Sequence, residues 1–94
     1  MTKAEVISII SDKTGVDKAV TSITVEAFFQ TVKDSLAAGE AIYVRGFGSF
    51  VNKKRAEKKA RNISKKTTVT VPAHYIPSFK PSKEFVEEVK TKVK

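Results

Sequence analysis

The most distinctive chemical feature of this 94-residue chain is a dense run of positive charge near its middle. Residues 53–66 contain eight lysines and arginines and a single acidic residue. A run of this kind has too few apolar side chains to form a core element, and its charges can bind a polyanion, most commonly nucleic acid. The alternative interpretation is a solvated surface, which is the usual explanation for a short lysine run.

The distribution of charge along the chain favours a binding role for the basic run. The net charge of the whole chain is +8. Residues 1–44 carry four Lys/Arg and six Asp/Glu, whereas residues 45–94 carry fourteen Lys/Arg and four Asp/Glu. This division predicts a polyanion-binding surface supported by a body of nearly balanced charge.

The basic run lies between two segments that are typical of β-strands. Residues 44–51 and 67–72 are rich in β-branched and aromatic side chains, which favour extended structure. We therefore predict a projecting two-stranded ribbon with a charged tip. Pro72 has no N–H to donate, so the ribbon should loosen there or lie at a sheet edge.

Three helices are predicted in the rest of the chain. The capping box at residues 2–5 begins a first helix, which Gly15 ends, and Asp17 caps a longer second helix that ends at Gly39. Ser82 begins a third helix with a basic end. Two helices joined by a short turn also suggest a helix-turn-helix, but the second helix has too little positive charge to enter a DNA groove.

The chain has more apolar side chains than one small folded body can bury. The second helix has a broad apolar face, and a chain of this size with a projecting ribbon has only a marginal core. We therefore expect a dimer. The residues predicted to form the dimer core are Phe28, Phe29, Phe47, Phe50 and Phe79.

The composition argues against several other classes of protein. The chain has no cysteine and one histidine, so disulfides and Cys/His metal sites are not expected, and His74 is interpreted as a surface or capping residue. No nucleophile–histidine–acid set predicts catalysis, and we expect no enzyme activity, cofactor or small-molecule substrate. The absence of cysteine also fits a reducing cytosol, and the sequence has neither a signal peptide nor a membrane-spanning run.

The order of elements and several short motifs resemble the bacterial HU/IHF family of DNA-bending proteins. The resemblance covers essentially all 94 residues. The motifs that carry it are Gly39-Glu40, Gly46–Phe50, Arg61-Asn62, Val71–Ala73 and Pro77–Lys80. Each motif is weak alone, but together they are specific.

The resemblance implies an α+β fold with a helical hairpin, a three-stranded antiparallel sheet extended by a long β-ribbon arm, and a C-terminal helix. It also implies an intertwined dimer, formed with itself or with a paralogue, whose two arms embrace double-stranded DNA through the minor groove. We expect one domain over residues 1–94, with a body at 1–52 and 72–94 and an arm at 53–71.

Particular residues match the family's DNA contacts. In the arm, the matching residues are Arg55, Lys58, Arg61 and Asn62. Further charge along the same ribbon comes from Lys53, Lys54, Lys59, Lys65 and Lys66. In the body, the positions that match phosphate contacts are Thr2, Lys3, Gly46, Lys80 and Lys83.

The chain departs from the family at the arm's tip. Ile63 stands where the family usually has a proline that wedges between base pairs, Ala60 replaces a glycine, and Lys65-Lys66 replace Thr-Gly. We interpret Ile63 as a possible wedge, since isoleucine is among the apolar side chains that minor-groove benders insert. The alternative is a passive residue at the tip.

The predicted function is that of an architectural protein of the bacterial cytoplasm and nucleoid. It should bind double-stranded DNA with little sequence specificity, bending and compacting the chromosome. The alternative is an RNA-binding or ribosome-associated basic protein, which would favour aromatic stacking platforms that residues 53–71 lack. A third class, a scaffold module, would need an exposed apolar patch in place of the ribbon.

Overall fold

The computed structural model of the protein describes residues 1–62 and 67–93, with the backbone alone described at 60–62 and 67–69. Within these residues, two helices come first, five strands follow, and a third helix comes last. The helices are α1 (Lys3–Thr14), α2 (Lys18–Ala37) and α3 (Lys83–Lys92). The strands are β1 (Ile42–Val44), β2 (Gly48–Arg55), β3 (Lys58–Asn62), β4 (Thr67–Val71) and β5 (His74–Pro81).

The predicted helix ends are confirmed. The side chains of Thr2, Asp17 and Ser82 accept hydrogen bonds from first-turn amides of α1, α2 and α3, respectively. These bonds satisfy amide groups that have no partner within the helix. Gly15 has a φ of 74° and Gly39 a φ of 84°, the left-handed conformation that glycine adopts most readily just after a helix.

The strands form two antiparallel sheets. One has three strands in the order β1-β2-β5, and the other is a hairpin of β3 and β4. Arg55 pairs with His74 at the end of the first sheet, and Lys58 pairs with Val71 at the start of the second. Within the described residues, the long ribbon is therefore interrupted at residues 56–57 and 72–73. The predicted α+β architecture is confirmed.

The structure shows which strands carry the first part of the basic run. Lys53, Lys54 and Arg55 belong to β2 and pair with β5, so the first part of the run lies within the three-stranded sheet. The hairpin that follows carries Lys58 and Lys59. The predicted division between body and arm at residue 53 stays a prediction.

The tip of the ribbon lies outside the described residues. The predictions for the wedge and for the tip charges, at Ile63, Lys65 and Lys66, fall on this segment.

A single chain does not enclose a full core. Helix α2 packs on β2, where the Asn52 side-chain amide donates to the Leu36 carbonyl at 2.8 Å. Among the described residues, the buried hydrophobic side chains are Ile7 and Leu36. The radius of gyration is 18.7 Å, whereas a compact chain of this length would have about 12 Å. The accessible surface is 8016 Å², compared with about 5,400 Å² for a compact protein of this mass.

Candidate nucleic-acid interface

Strand alternation divides the basic residues of β2 between two faces of the sheet. Asn52 bonds to α2, so it marks the inner face, and Lys53 and Arg55 lie on the opposite, outer face. Residues directly opposite each other in an antiparallel pair share a face. Since Ser49 pairs with Lys80, the outer face also carries the Lys80 ammonium group.

The described basic side chains of the ribbon are all available to a ligand. Lys53, Lys54 and Arg55 are exposed on β2, and Lys58 and Lys59 are exposed on β3. Lysine and arginine on an exposed strand can donate to phosphate oxygens without first breaking a buried contact.

Arg61 and Asn62 occupy the last two positions of β3, where their backbones pair with those of Thr68 and Thr67. The backbone thus places both predicted contact residues on the ribbon beyond Lys58 and Lys59.

The turn between β1 and β2 needs glycine for two different reasons. Gly46 has a φ of 79°, which side chains rarely tolerate. At Gly48 a Cβ atom would lie 2.7 Å from the Phe79 ring and closer still to the Lys80 carbonyl oxygen. The Phe47 carbonyl then accepts from the Ser82 amide at 2.8 Å, which holds the start of α3 beside this turn.

The predicted body contacts have different surroundings. Lys83 is exposed in the first turn of α3, where free amides and the helix dipole attract anions. A Cβ atom at Gly46 would lie 3.4 Å from a carboxylate oxygen of Glu84, so an acidic group lies beside this position. Any phosphate at Gly46 must therefore lie away from Glu84 or displace its side chain.

Thr2 and Lys3 are already engaged in the free chain. The Thr2 hydroxyl caps α1, accepting from the Glu5 amide at 3.3 Å. Lys3 forms an ion pair with Glu26 of α2, and both side chains remain about half exposed. An exposed pair of this kind is weak, so it leaves Lys3 able to exchange its partner for a phosphate.

The structure adds three polar residues that the sequence analysis did not select. Tyr43 pairs with Ser49, which pairs with Lys80, so a row of two hydroxyls and an ammonium crosses the outer face. Arg45 joins Tyr43, Ser49 and Lys80 in lining a shallow groove beside the first turn of α3. Finding this row from sequence would have required the register of three strands, two of them far apart in the chain.

The structure brings the five predicted dimer-core phenylalanines together. Phe79 lies 5.0 Å from Phe47 and 5.2 Å from Phe50, measured between ring centroids. Phe28 lies 6.2 Å from Phe50 and 5.6 Å from Phe29. Helix α3 adds a sixth ring, because Phe85 stacks on Phe47 at 5.2 Å.

This aromatic cluster, formed by the six phenylalanines, is incompletely covered. Phe28, Phe29, Phe47 and Phe79 each leave between 37% and 47% of their surface exposed. Exposed aromatic surface on this scale is typical of an interface rather than of a finished core. Whether these rings form the dimer core stays a prediction.

In the part of the chain that the structure describes, no three His, Cys, Asp or Glu side chains are grouped as a metal site requires. None of the helices within residues 1–62 and 67–93 has the length and hydropathy needed to cross a bilayer.

Comparisons with known proteins agree with the geometry. Residues 1–90 match the family described as bacterial DNA-binding protein. The chain is 37% identical to the SPbeta prophage-derived DNA-binding protein HU 2 of Bacillus subtilis over 92 residues, which cover 98% of this chain and all of the relative. It is also 37% identical to integration host factor subunit beta of Marinobacter nauticus, covering all of this chain and 97% of the relative.

A solved structure supports the same relationship. The chain superposes on HU in an Anabaena HU–DNA cocrystal structure with a TM-score of 0.90 and 28% identity. The match covers 95% of this chain and 97% of the Anabaena chain.

Proposed function

Since the chain belongs to the family of bacterial DNA-binding proteins that includes HU and integration host factor, we propose that it binds and bends double-stranded DNA as a dimer. It is an architectural protein and not an enzyme. Its place is the bacterial nucleoid, within the cytoplasm. HU and integration host factor are established minor-groove benders. We infer from the family that this chain also binds the minor groove.

The observation that carries this proposal is the continuity of the basic surface. Lys53, Arg55 and Lys80 share the outer face of the sheet, and the exposed lysines of β3 extend the charge along the hairpin. A body sheet that runs directly into a charged ribbon can follow a DNA backbone from the body outward. Phosphate contacts carry no sequence information directly, so this surface supports binding with little sequence preference.

Two copies of the ribbon account for bending. One ribbon can hold a duplex, but bending requires forces at separated points. A dimer supplies two arms and two bodies, and the incompletely covered aromatic cluster supports assembly through that side of the chain. The partner is a second copy of this chain or a paralogue, as the similarity to an integration host factor subunit suggests.

The test is a salt titration of binding to a short duplex. Neutralising three charges in each arm should reduce the slope of log affinity against log salt by about 5 for a dimer, since each phosphate contact contributes about 0.9. The substitutions are Arg55→Gln, Lys58→Gln and Arg61→Gln. A matched control removes the same charge from the helical half and should leave the slope nearly unchanged. The control substitutions are Lys13→Gln, Lys18→Gln and Lys33→Gln.

The salt titration, together with binding to nicked duplex and competition by RNA, separates the alternatives. Tighter binding to nicked than to intact duplex, with RNA a weaker competitor, supports an architectural DNA-binding protein. Equal loss of slope in the two triple variants would show that net charge alone drives binding. RNA that competes better than duplex DNA would favour the RNA-binding alternative.

A further inference from the structure

We propose that His74 is a further DNA-backbone contact, which binds a phosphate together with Arg55 only when its imidazole ring is protonated. The inference rests on the proposed DNA-binding function. It assigns to the chain's single histidine a role that the sequence analysis did not find, since that analysis interpreted His74 as a surface or capping residue.

His74 lies at the end of the three-stranded sheet, directly opposite Arg55. It is the first residue of β5 and pairs directly with Arg55, the last residue of β2. The two side chains therefore share the outer face, with Cβ atoms about 4.5–5.5 Å apart. They form the last pair of the three-stranded sheet before the interruption at residues 56–57.

The His74 ring forms a hydrogen bond with the backbone. His74 Nδ1 lies 2.8 Å from the carbonyl oxygen of Pro72. A carbonyl oxygen can only accept, so Nδ1 carries the hydrogen, and in the neutral ring Nε2 then has a lone pair and no proton. This tautomer cannot donate to a phosphate oxygen through Nε2. Protonation places a hydrogen on Nε2 and converts the exposed side of the ring into a charged donor.

Three charged residues are neighbours of His74 in the sheet or in the adjoining connection. Arg55 lies directly opposite, Lys53 lies diagonally on the same face, and Glu57 follows Arg55 in the connection to β3. A phosphate placed between Arg55 and His74 favours the charged ring, because an opposite charge nearby stabilises it.

DNA binding should therefore take up protons in the range where histidine changes charge, between about pH 5 and pH 8. By linkage, affinity should rise as the pH falls through that range. A dimer has two such rings, so the salt slope should be steeper by about 1.8 at low pH. The affinity at low pH divided by the affinity at high pH should therefore be about 12-fold larger at 50 mM salt than at 200 mM salt.

The experiment measures duplex affinity at about pH 6 and about pH 8 and at two salt concentrations, for the full-length dimer and three variants. His74→Ala should lose the pH dependence and retain the slope seen at high pH. His74→Arg should show the steeper slope at both pH values. A control that carries both His74→Ala and Tyr75→His moves the histidine to the inner face and should behave like His74→Ala.

The outcomes separate this inference from the proposed function. Strong DNA binding with the same pH dependence in the wild type and His74→Ala would overturn the role of His74 and leave the function intact. A full pH response in the control with the histidine on the inner face would also overturn it, because the argument depends on the face. Absence of duplex binding at every pH would contradict the proposed function itself.

Discussion

Removing the ring of Phe29 tests whether a second chain covers the aromatic cluster. Phe29 lies on α2 beside Phe28 and is 46% exposed in the single chain. A phenylalanine side chain can bury about 150–250 Å², so about 70–115 Å² of Phe29 remains to be covered by a partner. At about 25 cal/mol per Å², this surface is worth about 2–3 kcal/mol for each ring.

A dimer contains two such rings, so Phe29→Ala should weaken association by about 4–6 kcal/mol. Because each 1.4 kcal/mol is a factor of ten, the dissociation constant should rise by about 10³–10⁴-fold. Sedimentation equilibrium measures this constant directly. Thermal unfolding at protein concentrations that differ by about a hundredfold gives an independent check, since the melting temperature of an obligate dimer depends on concentration.

The matched control is Tyr43→Ala, which removes an aromatic ring from the outer face. Tyr43 is 77% exposed and shares that face with Ser49 and Lys80. Its removal should change association by less than about 0.5 kcal/mol, as for other surface substitutions. If both variants weaken the dimer equally, or if the wild type melts at the same temperature at every concentration, the reasoning about the aromatic cluster is wrong.

Three further substitutions have distinct expected outcomes. Gly48→Ala should lower the free energy of unfolding by about 1–3 kcal/mol in chemical denaturation, since its Cβ would overlap the Phe79 ring. Glu26→Gln frees Lys3 and should strengthen duplex binding in a salt-titrated gel shift, whereas Asp34→Asn, an equal charge change, should do so less. Ile63→Ala should reduce the bend of intact duplex, measured by energy transfer between its ends, with little change on nicked duplex; equal bending would exclude the wedge.

The parts of the fold that could be predicted from sequence are those fixed by local chemistry. Thr2, Asp17 and Ser82 were predicted as helix starts because a short polar side chain satisfies unpaired amides, and the structure shows those bonds. Gly15 and Gly39 were predicted as stops because few other residues adopt the left-handed conformation readily. Each prediction needed only a few adjacent residues.

The parts that could not be predicted depend on residues far apart in the chain. The pairing of Arg55 with His74 follows from the register of β2 and β5, which a shift of one residue would reverse between faces. The ion pair of Lys3 with Glu26 requires the packing of α1 against α2. The sequence analysis assigned charge to the ribbon but could not divide that charge between the two faces of the sheet.

The uncovered aromatic cluster and the basic ribbon are two consequences of one arrangement. A chain of this length that extends part of itself as a ribbon has fewer residues left to enclose a core, and its extent of 57 Å along the longest axis reflects that division. We expect association with a partner to cover the exposed rings. The same association fixes two ribbons relative to each other, so binding of one arm raises the effective concentration of the other at the DNA. If the rings are covered in this way, dimer assembly provides both the stability that the single chain lacks and the two points of attachment that bending requires.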